Sequence, residues 1–229
     1  MGAGVSGFLV VGLGDSITAG NPGWDPDPER RPFEDPGDDE TSQYLYWAAR
    51  ANPGMRFRNH GVGGERTDEI RARLETAVVG ADVIVVQGGI NDVVQGRAVE
   101  LAAADLQAMV WRAKELAELV LLPNVLPWNN GWPGAEPRIR ELNALIARLS
   151  EAEAVPLLPF HETLEDPERP GRMKAEWTPD GNHPSVDGHR RLGEVAFELP
   201  YRLGGESTQM TRSGWVSLAF RKRWGRSAL

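Results

Sequence analysis

One apolar run, Val83-Ile84-Val85-Val86, constrains the fold of this 229-residue chain more than any other stretch. A strand that faces water on one side alternates apolar and polar residues, whereas an unbroken apolar strand is covered on both faces. Such strands occur in parallel sheets, where helices pack on both faces of the sheet. The run therefore predicts a buried strand inside a chain that alternates between strands and helices.

Apolar runs and amphipathic segments do alternate along the chain. The candidate strands cover residues 7–12, 55–59, 82–87, 119–125 and 155–159, and the candidate helices cover 42–51, 68–79, 97–118, 137–152 and 186–199. This alternation predicts an α/β fold in which five parallel strands carry helices on both faces. Functional residues in such a sheet collect at the carboxyl ends of its strands.

The length of the chain suits one α/β domain with a core of its own. No internal repeat and no clear boundary divides residues 1–204, which we predict to form a single domain. A basic and aromatic tail, residues 205–229, follows this domain. We expect the tail to pack on the domain or on a second subunit, with contact to an anionic membrane surface as the alternative.

Composition limits the classes of partner. The formal net charge of -8 argues against nucleic acid, because binding phosphates requires an excess of Lys and Arg. The absence of cysteine excludes disulfides, thiolate nucleophiles and cysteine metal sites, and the four dispersed histidines lack zinc-site spacing. No apolar run is long enough to span a bilayer, and none has the pattern of a signal peptide. We expect a cytoplasmic protein with no metal, cofactor or stable membrane insertion.

The block after the first candidate strand places Ser16 on a tight, glycine-flanked turn. Gly12 and Gly14 fit the first two positions of the dinucleotide-binding pattern G-x-G-x-x-G, but Ile17 stands where a small third residue is needed. The G-x-S-x-G elbow of α/β-hydrolases is also absent around the serine. A serine at such a turn is either a helix cap or a nucleophile, and this block alone does not decide.

Three further polar blocks follow candidate strands or precede the last candidate helix. The glycine-rich block 59–67 lets backbone N–H groups approach a substrate oxygen closely. The block after the third strand contains Asn91, whose amide can donate to a developing oxyanion. In the last block, Asp180 and His183 are three residues apart on a turn, so the carboxylate can orient the imidazole. Ordinary turns and helix caps use the same residue types.

Together the four blocks resemble the SGNH, or GDSL-type, hydrolase family, in the family's order and over most of the chain. The matching segments are Gly14-Asp15-Ser16-Ile17, Val62-Gly63-Gly64-Glu65-Arg66-Thr67, Gly89-Ile90-Asn91-Asp92 and Asp180-x-x-His183 with Pro184. Ile17 replaces the family's leucine, and Gly63 stands where serine is frequent. The resemblance implies a three-layer α/β/α fold with a flavodoxin-like, five-stranded parallel sheet.

The resemblance also implies a triad of Ser16, His183 and Asp180. His183 would remove the proton of Ser16, which attacks an ester carbonyl, and water would then cleave the acyl-enzyme. The backbone N–H groups of Ser16 and Gly64 and the amide of Asn91 would stabilise the oxyanion. The expected activity is hydrolysis of carboxylic esters. An acyltransferase that uses the same triad on a sugar or alcohol acceptor is the alternative, and a non-catalytic binding module would normally lack one of these residues.

Four tryptophans are candidate contacts for the substrate. Trp128 and Trp132 follow the fourth candidate strand, Trp24 lies in the proline- and acid-rich loop 21–42, and Trp177 precedes the triad acid. Aromatic side chains beside a site suit a sugar ring, an aryl group or a short acyl group. The acidic loop supplies no wide apolar face for a long chain. We therefore expect a small-molecule, short-acyl ester as the substrate, and the loop is either a solvated surface or the rim of the site.

Overall fold

The computed structural model describes residues 7–27, 29 and 39–199 of the chain. Its main sheet has five parallel strands, β1 (Phe8–Gly14), β2 (Met55–Gly61), β3 (Val83–Val86), β4 (Leu119–Pro123) and β5 (Leu157–Leu158). Their order, β2-β1-β3-β4-β5, confirms the predicted flavodoxin-like sheet. The predicted tail lies outside the described residues, as does part of the loop 21–42.

The central strand β3 has the burial that its sequence predicts, because all four of its side chains are inaccessible to solvent. Its side chains alternate between two apolar clusters, one on each face of the sheet. Ile84 and Val86 belong to the cluster that includes the long helices α6 (Val99–Leu116) and α7 (Ala135–Glu153), and Val83 and Val85 belong to the opposite cluster. Two covered faces explain why this strand contains no polar residue.

Nine α-helices are present among the described residues. They are α1 (Ser16–Ala19), α2 (Tyr44–Ala51), α3 (Thr67–Ala72), α4 (Leu74–Ala77), α5 (Ile90–Val94), α6 (Val99–Leu116), α7 (Ala135–Glu153), α8 (Phe160–Leu164) and α9 (Val186–Arg191). A π-helical turn, Leu192–Ala196, continues α9, and short 3-10 turns cover Glu40–Ser42 and Ala175–Trp177. None of the helices in residues 7–27, 29 and 39–199 combines the length and apolar character needed to cross a bilayer.

Sequence periodicity finds the long helices and misses the short ones. The predicted helix 97–118 is α6, whereas the prediction over 68–79 is divided between α3 and α4. The helices α1, α5 and α8 have only four or five residues, too few to show a helical repeat. A two-stranded antiparallel sheet of β6 (Glu165–Asp166) and β7 (Arg169–Met173) was not predicted either, because its residues are mostly polar.

The polar blocks meet at the carboxyl edge of the sheet. β1 and β2 run in parallel and end in register, with Gly14 opposite Gly61. At Gly61, a Cβ atom would lie only 2.0 Å from the backbone nitrogen of Ala19, so glycine is what allows α1 to pack against the end of β2. This close approach places the start of α1, with Ser16, at the edge where the loops after β2 and β3 also emerge.

Candidate active site

The tight turn after β1 fixes the backbone on which Ser16 stands. Asp15 caps α1, because its Oδ1 accepts a hydrogen bond of 2.9 Å from the backbone N–H of Ile17. The N–H of Asp15 donates to Oε1 of Gln87, at 3.1 Å, which ties the turn to the end of β3. Ser16 is therefore not the helix cap, and its hydroxyl is free for another role.

The hydroxyl of Ser16 contacts His183, which comes from the turn before α9. His183 Nε2 lies 3.1 Å from Ser16 Oγ, and His183 Nδ1 lies 2.7 Å from Asp180 Oδ2. When Nδ1 carries a proton and donates it to the carboxylate, Nε2 is left as an acceptor for the serine hydroxyl. The structure thus brings together the three residues of the predicted triad in the order that proton removal from a serine requires.

The other oxygen of Asp180 organises the turn itself. Oδ1 accepts hydrogen bonds of 2.8 Å from the backbone N–H groups of Asn182 and His183. Partial burial would raise the pKa of Asp180, but these bonds and the His183 ring outweigh burial and hold the pKa below its usual value. Because its pKa is lowered, Asp180 carries a negative charge at neutral pH, directly beside the His183 ring.

Gly64, in the loop after β2, and Asn91, in the first turn of α5, are two of the three predicted oxyanion donors. Gly64 has a φ of +83°, a left-handed conformation that disfavours a side chain. The Nδ2 atom of Asn91 donates to the carbonyl of Glu65 at 2.9 Å, which leaves its second hydrogen unused by that bond. Asn91 lines the same cleft as Ser16, whereas Gly64 does not line it directly.

The loop that carries Gly64 is held by α5. Gln95 Nε2 donates to the carbonyl of Gly64 at 3.1 Å, one helical turn after Asn91. Asp92 is fully buried and accepts from both the backbone N–H and the hydroxyl of Thr67, each at 2.9 Å. Arg97 completes the arrangement with an ion pair of 2.5 Å to Asp92. Gly64 and Asn91 are thus fixed relative to each other.

A cleft of about 210 Å³ opens beside Ser16. It is lined by Ser16, Ile17, Ile90, Asn91, Val94, Trp128, Asn182 and His183. Trp128 is the only one of the four candidate tryptophans in this lining. Trp132 packs edge-on against the ring of Trp128, with ring centroids 5.5 Å apart, and its residue surface is 40% exposed.

The other two candidate tryptophans do not line the cleft within the described part of the chain. Trp177 lies between two cations, with Lys174 Nζ 4.9 Å and Arg191 Cζ 4.6 Å from its ring centroid. Trp24 is half-buried, and its carbonyl accepts a hydrogen bond of 2.9 Å from Asn21. The described start of the loop does approach the site, because a Cβ atom at Gly63 would lie 2.9 Å from Asn21 Oδ1.

Two buried titratable groups flank the site. Asp15 is fully buried, and burial raises its pKa to about 6, although hydrogen bonds from Ile17 and Gln87 lower it. His189 on α9 is fully buried, and burial lowers its pKa to about 3. Neither ring nitrogen of His189 has a hydrogen-bond partner within the described residues. Within the described part of the chain, no cluster of three or more His, Asp or Glu side chains is arranged to hold a metal ion.

A comparison with models of protein families identifies known proteins that this chain resembles. The model of the GDSL-like lipase/acylhydrolase family matches residues 13–191, which include all four polar blocks. The chain belongs to this family. Membership identifies it as a carboxylic-ester hydrolase and confirms the resemblance seen in the sequence. A search of curated protein sequences found no match.

Several solved structures share the fold of this chain at low sequence identity. A protein of the G-D-S-L lipolytic family from Desulfitobacterium hafniense DCB-2 is 19% identical, with a TM-score of 0.68 over 82% of this chain and 96% of its own. A family member from Veillonella parvula DSM 2008 is 17% identical, with a TM-score of 0.66 over 81% and 94%. Axe2, an acetylxylan esterase from Geobacillus stearothermophilus, is 20% identical, with a TM-score of 0.63 over 85% and 97%.

Sequence reasoning assigned no role to several polar residues that shape the site of this GDSL-family hydrolase. Gln95 had a detectable signal, because it follows Asn91 by four residues and so shares a helix face with it. Asn130 and Asn182 had no such signal, because they lie 52 residues apart and meet only in the folded chain, where Asn130 Nδ2 is 3.0 Å from Asn182 Oδ1.

Proposed function

We propose that this GDSL-family hydrolase cleaves short-acyl, acetyl-type esters by a covalent mechanism at Ser16. One observation carries the proposal, the unbroken chain of contacts from Asp180 through His183 to Ser16, at 2.7 and 3.1 Å. His183 removes the hydroxyl proton as Ser16 Oγ attacks the ester carbonyl. The same histidine then gives the proton to the leaving alcohol, and water releases the acid from the acyl-enzyme.

The tetrahedral oxyanion needs donors that are fixed before the reaction. The proposed donors are the backbone N–H of Ser16 and of Gly64 and the remaining side-chain hydrogen of Asn91. The hydrogen bonds from Asn91 to the carbonyl of Glu65 and from Gln95 to the carbonyl of Gly64 support this assignment, because they hold the donors in place. Preorganised donors need no rearrangement when charge develops on the substrate oxygen.

The size of the cleft supports a short acyl group. Its volume of about 210 Å³ is smaller than the roughly 300–1,000 Å³ of pockets that enclose drug-sized ligands. Ile17, Ile90 and Val94 supply apolar contact for a few carbon atoms rather than for a fatty chain. Among the structural neighbours, Axe2 is an acetylxylan esterase, and its serine-to-alanine and histidine-to-alanine variants are both described as catalytic mutants.

Solvent access supports hydrolysis over acyl transfer. The side chains of His183 and Asp180 are 26% and 36% exposed, so water can reach the base that would activate it. An acyltransferase gains by excluding water from the acyl-enzyme. The released products therefore distinguish the two reactions, because transfer to added glycerol or sugar would give a new ester instead of free acid.

The test compares Ser16→Ala with wild type on p-nitrophenyl esters of two to eight acyl carbons. We expect kcat/KM to be highest for the acetate and to fall at least about 10⁴-fold in the variant, because the nucleophile is gone. Ser150→Ala is the matched control, since Ser150 lies near the end of α7, shortly before β5 begins. That position is at the amino ends of the strands, whereas Ser16 lies at their carboxyl ends. Retained hydrolysis in a folded Ser16→Ala variant would refute the mechanism.

A further inference from the structure

The side chain of Asn182 stands beside the triad in an orientation fixed by its neighbours. Its Oδ1 accepts two hydrogen bonds, from the indole Nε1 of Trp128 at 2.7 Å and from Asn130 Nδ2 at 3.0 Å. An indole nitrogen can only donate, so the atom that faces Trp128 must be the amide oxygen. The two ends of the Asn182 amide are thereby distinguished by the hydrogen-bond network itself.

The segment that orients Asn182 is braced against the triad turn. Asn130 Nδ2 also lies 2.6 Å from the carbonyl of Asp180, and the N–H of Asn129 donates to the carbonyl of Gly181 at 2.9 Å. Gly181 has a φ of +77°, and a Cβ atom there would lie 2.9 Å from the Asn130 amide. These contacts hold residues 128–130 and the turn that carries His183 as one unit.

The nitrogen of the Asn182 amide is left without a hydrogen-bond partner among the residues that the structure describes. Asn182 is half-buried and lines the cleft together with Ser16 and His183. A substrate that fills the cleft removes water from this donor, and a donor left unpaired after losing water costs free energy, so a substrate with an acceptor at this position is favoured. The two N–H bonds of this amide are thus available to a bound substrate.

We propose that Asn182 is a specificity-determining residue whose side-chain N–H donates to an oxygen of the leaving alcohol. The inference rests on the proposed function and deepens it. His183 delivers its proton to the leaving oxygen, and Asn182 lines the same cleft as His183 and Ser16, so the proposal assigns its amide to the leaving-group side of Ser16. The preferred substrates are esters of polyols, in which a hydroxyl oxygen lies next to the ester.

The experiment uses two acetates that differ only in the hydroxyl groups of the alcohol, glycerol 1-acetate and n-propyl acetate. Its readout is the ratio of kcat/KM for the glycerol ester to kcat/KM for the propyl ester. We expect wild type to favour the glycerol ester and Asn182→Asp to lower the ratio about 10-fold, the effect of one lost donor. The carboxylate keeps an acceptor for Trp128 and Asn130. Because this carboxylate can accept a hydrogen bond from a glycerol hydroxyl, Asn182→Ala, which offers neither donor nor acceptor, is measured beside it.

Two further variants define the outcome. Asn130→Ala should lower the ratio by a smaller factor, because it loosens the amide without removing it. Asn52→Asp, a matched substitution at the end of α2, should leave the ratio at the wild-type value. Asn182→Ala should lower the ratio by about the same 10-fold, and circular dichroism checks that each variant folds.

The results separate this inference from the proposed function. An unchanged ratio in folded Asn182 variants that still hydrolyse both esters would overturn the role of Asn182 and leave the proposed function standing. If Ser16→Ala hydrolyses both esters as fast as wild type, the proposed function and this inference are both overturned. A selective fall in the ratio, with Ser16-dependent hydrolysis intact, would support both.

Discussion

The two sides of the cleft are held together by different polar chemistry. On one side, the glycine wall (Val62–Thr67 with α5) is fixed by the fully buried carboxylate of Asp92 and its ion pair with Arg97. On the other side, neutral amide and indole groups join the two segments of the histidine wall (residues 128–132 with Asp180–His183), and the one carboxylate that orders its turn, Asp180, is partly exposed. Both walls meet at Ser16.

This difference has an energetic consequence. Removing one partner of a buried ion pair leaves an uncompensated charge and costs about 3–5 kcal/mol, whereas an exposed neutral hydrogen bond is worth about 1 kcal/mol. The glycine wall should therefore keep one geometry, which suits donors that must be fixed before the oxyanion forms. The histidine wall can adjust at low cost, which suits a base that moves a proton to and from different partners.

The largest expected effect tests the charged side of this comparison. Asp92→Ala should lower the free energy of unfolding by about 3 kcal/mol, because Thr67 loses its buried acceptor and Arg97 keeps only its second ion pair, with Asp105. Asn130→Ala, on the histidine wall, should cost only about 1 kcal/mol, since Asn130 is exposed. Urea denaturation of both variants measures the contrast. Equal losses of stability would remove the distinction between the two walls.

The next effect tests whether the glycine wall acts on the reaction as well as on stability. Asn91→Ala should lower kcat about 100-fold with little change in KM, because the donor acts on the oxyanion rather than on the ground-state ester. Steady-state kinetics with p-nitrophenyl acetate provides the measurement, and thermal denaturation checks that the fold persists. A rise in KM with kcat unchanged would assign Asn91 to substrate binding alone.

The smallest effect tests whether the histidine wall is free of buried charge. His189 lies on α9, the helix that follows the turn of the histidine wall, and burial lowers the pKa of its ring to about 3. The unfolded chain takes up a proton below pH 6.5 and the folded chain only near pH 3. Wild type should therefore lose about 1.4 kcal/mol of stability per pH unit through this group as the pH falls across that window.

The variant His189→Leu removes this proton linkage. The stability of the variant relative to wild type should rise as the pH falls from 6.5 to 4.5. Asp15, whose raised pKa of about 6 acts with the opposite sign, is present in both proteins and cancels in their difference. Chemical denaturation at several pH values measures it, and a difference independent of pH would show that His189 titrates alike in the folded and unfolded chain.

Much of the fold follows from local pattern. The β-branched strand β3 and the amphipathic helices α6 and α7 are long or regular enough for their own residues to indicate burial. The short elements differ, because α5 and the pair β6 and β7 form where tertiary contacts favour them, and their sequences carry no period. Residues close in sequence, such as Asp180 and His183, can be paired from the sequence because a turn alone brings them within hydrogen-bond reach.

The sequence by itself determined the sheet, the family and the four polar blocks, because these depend on periodicity and on short runs of neighbouring residues. Only the tertiary structure decided that Asp15 rather than Ser16 caps α1, and that Trp128 but neither Trp24 nor Trp177 lines the cleft. It also decided that the oxygen of the Asn182 amide faces Trp128, which leaves the nitrogen of the amide for another partner. These facts depend on contacts between segments far apart in the chain, and one chain's sequence does not record which distant donors and acceptors meet.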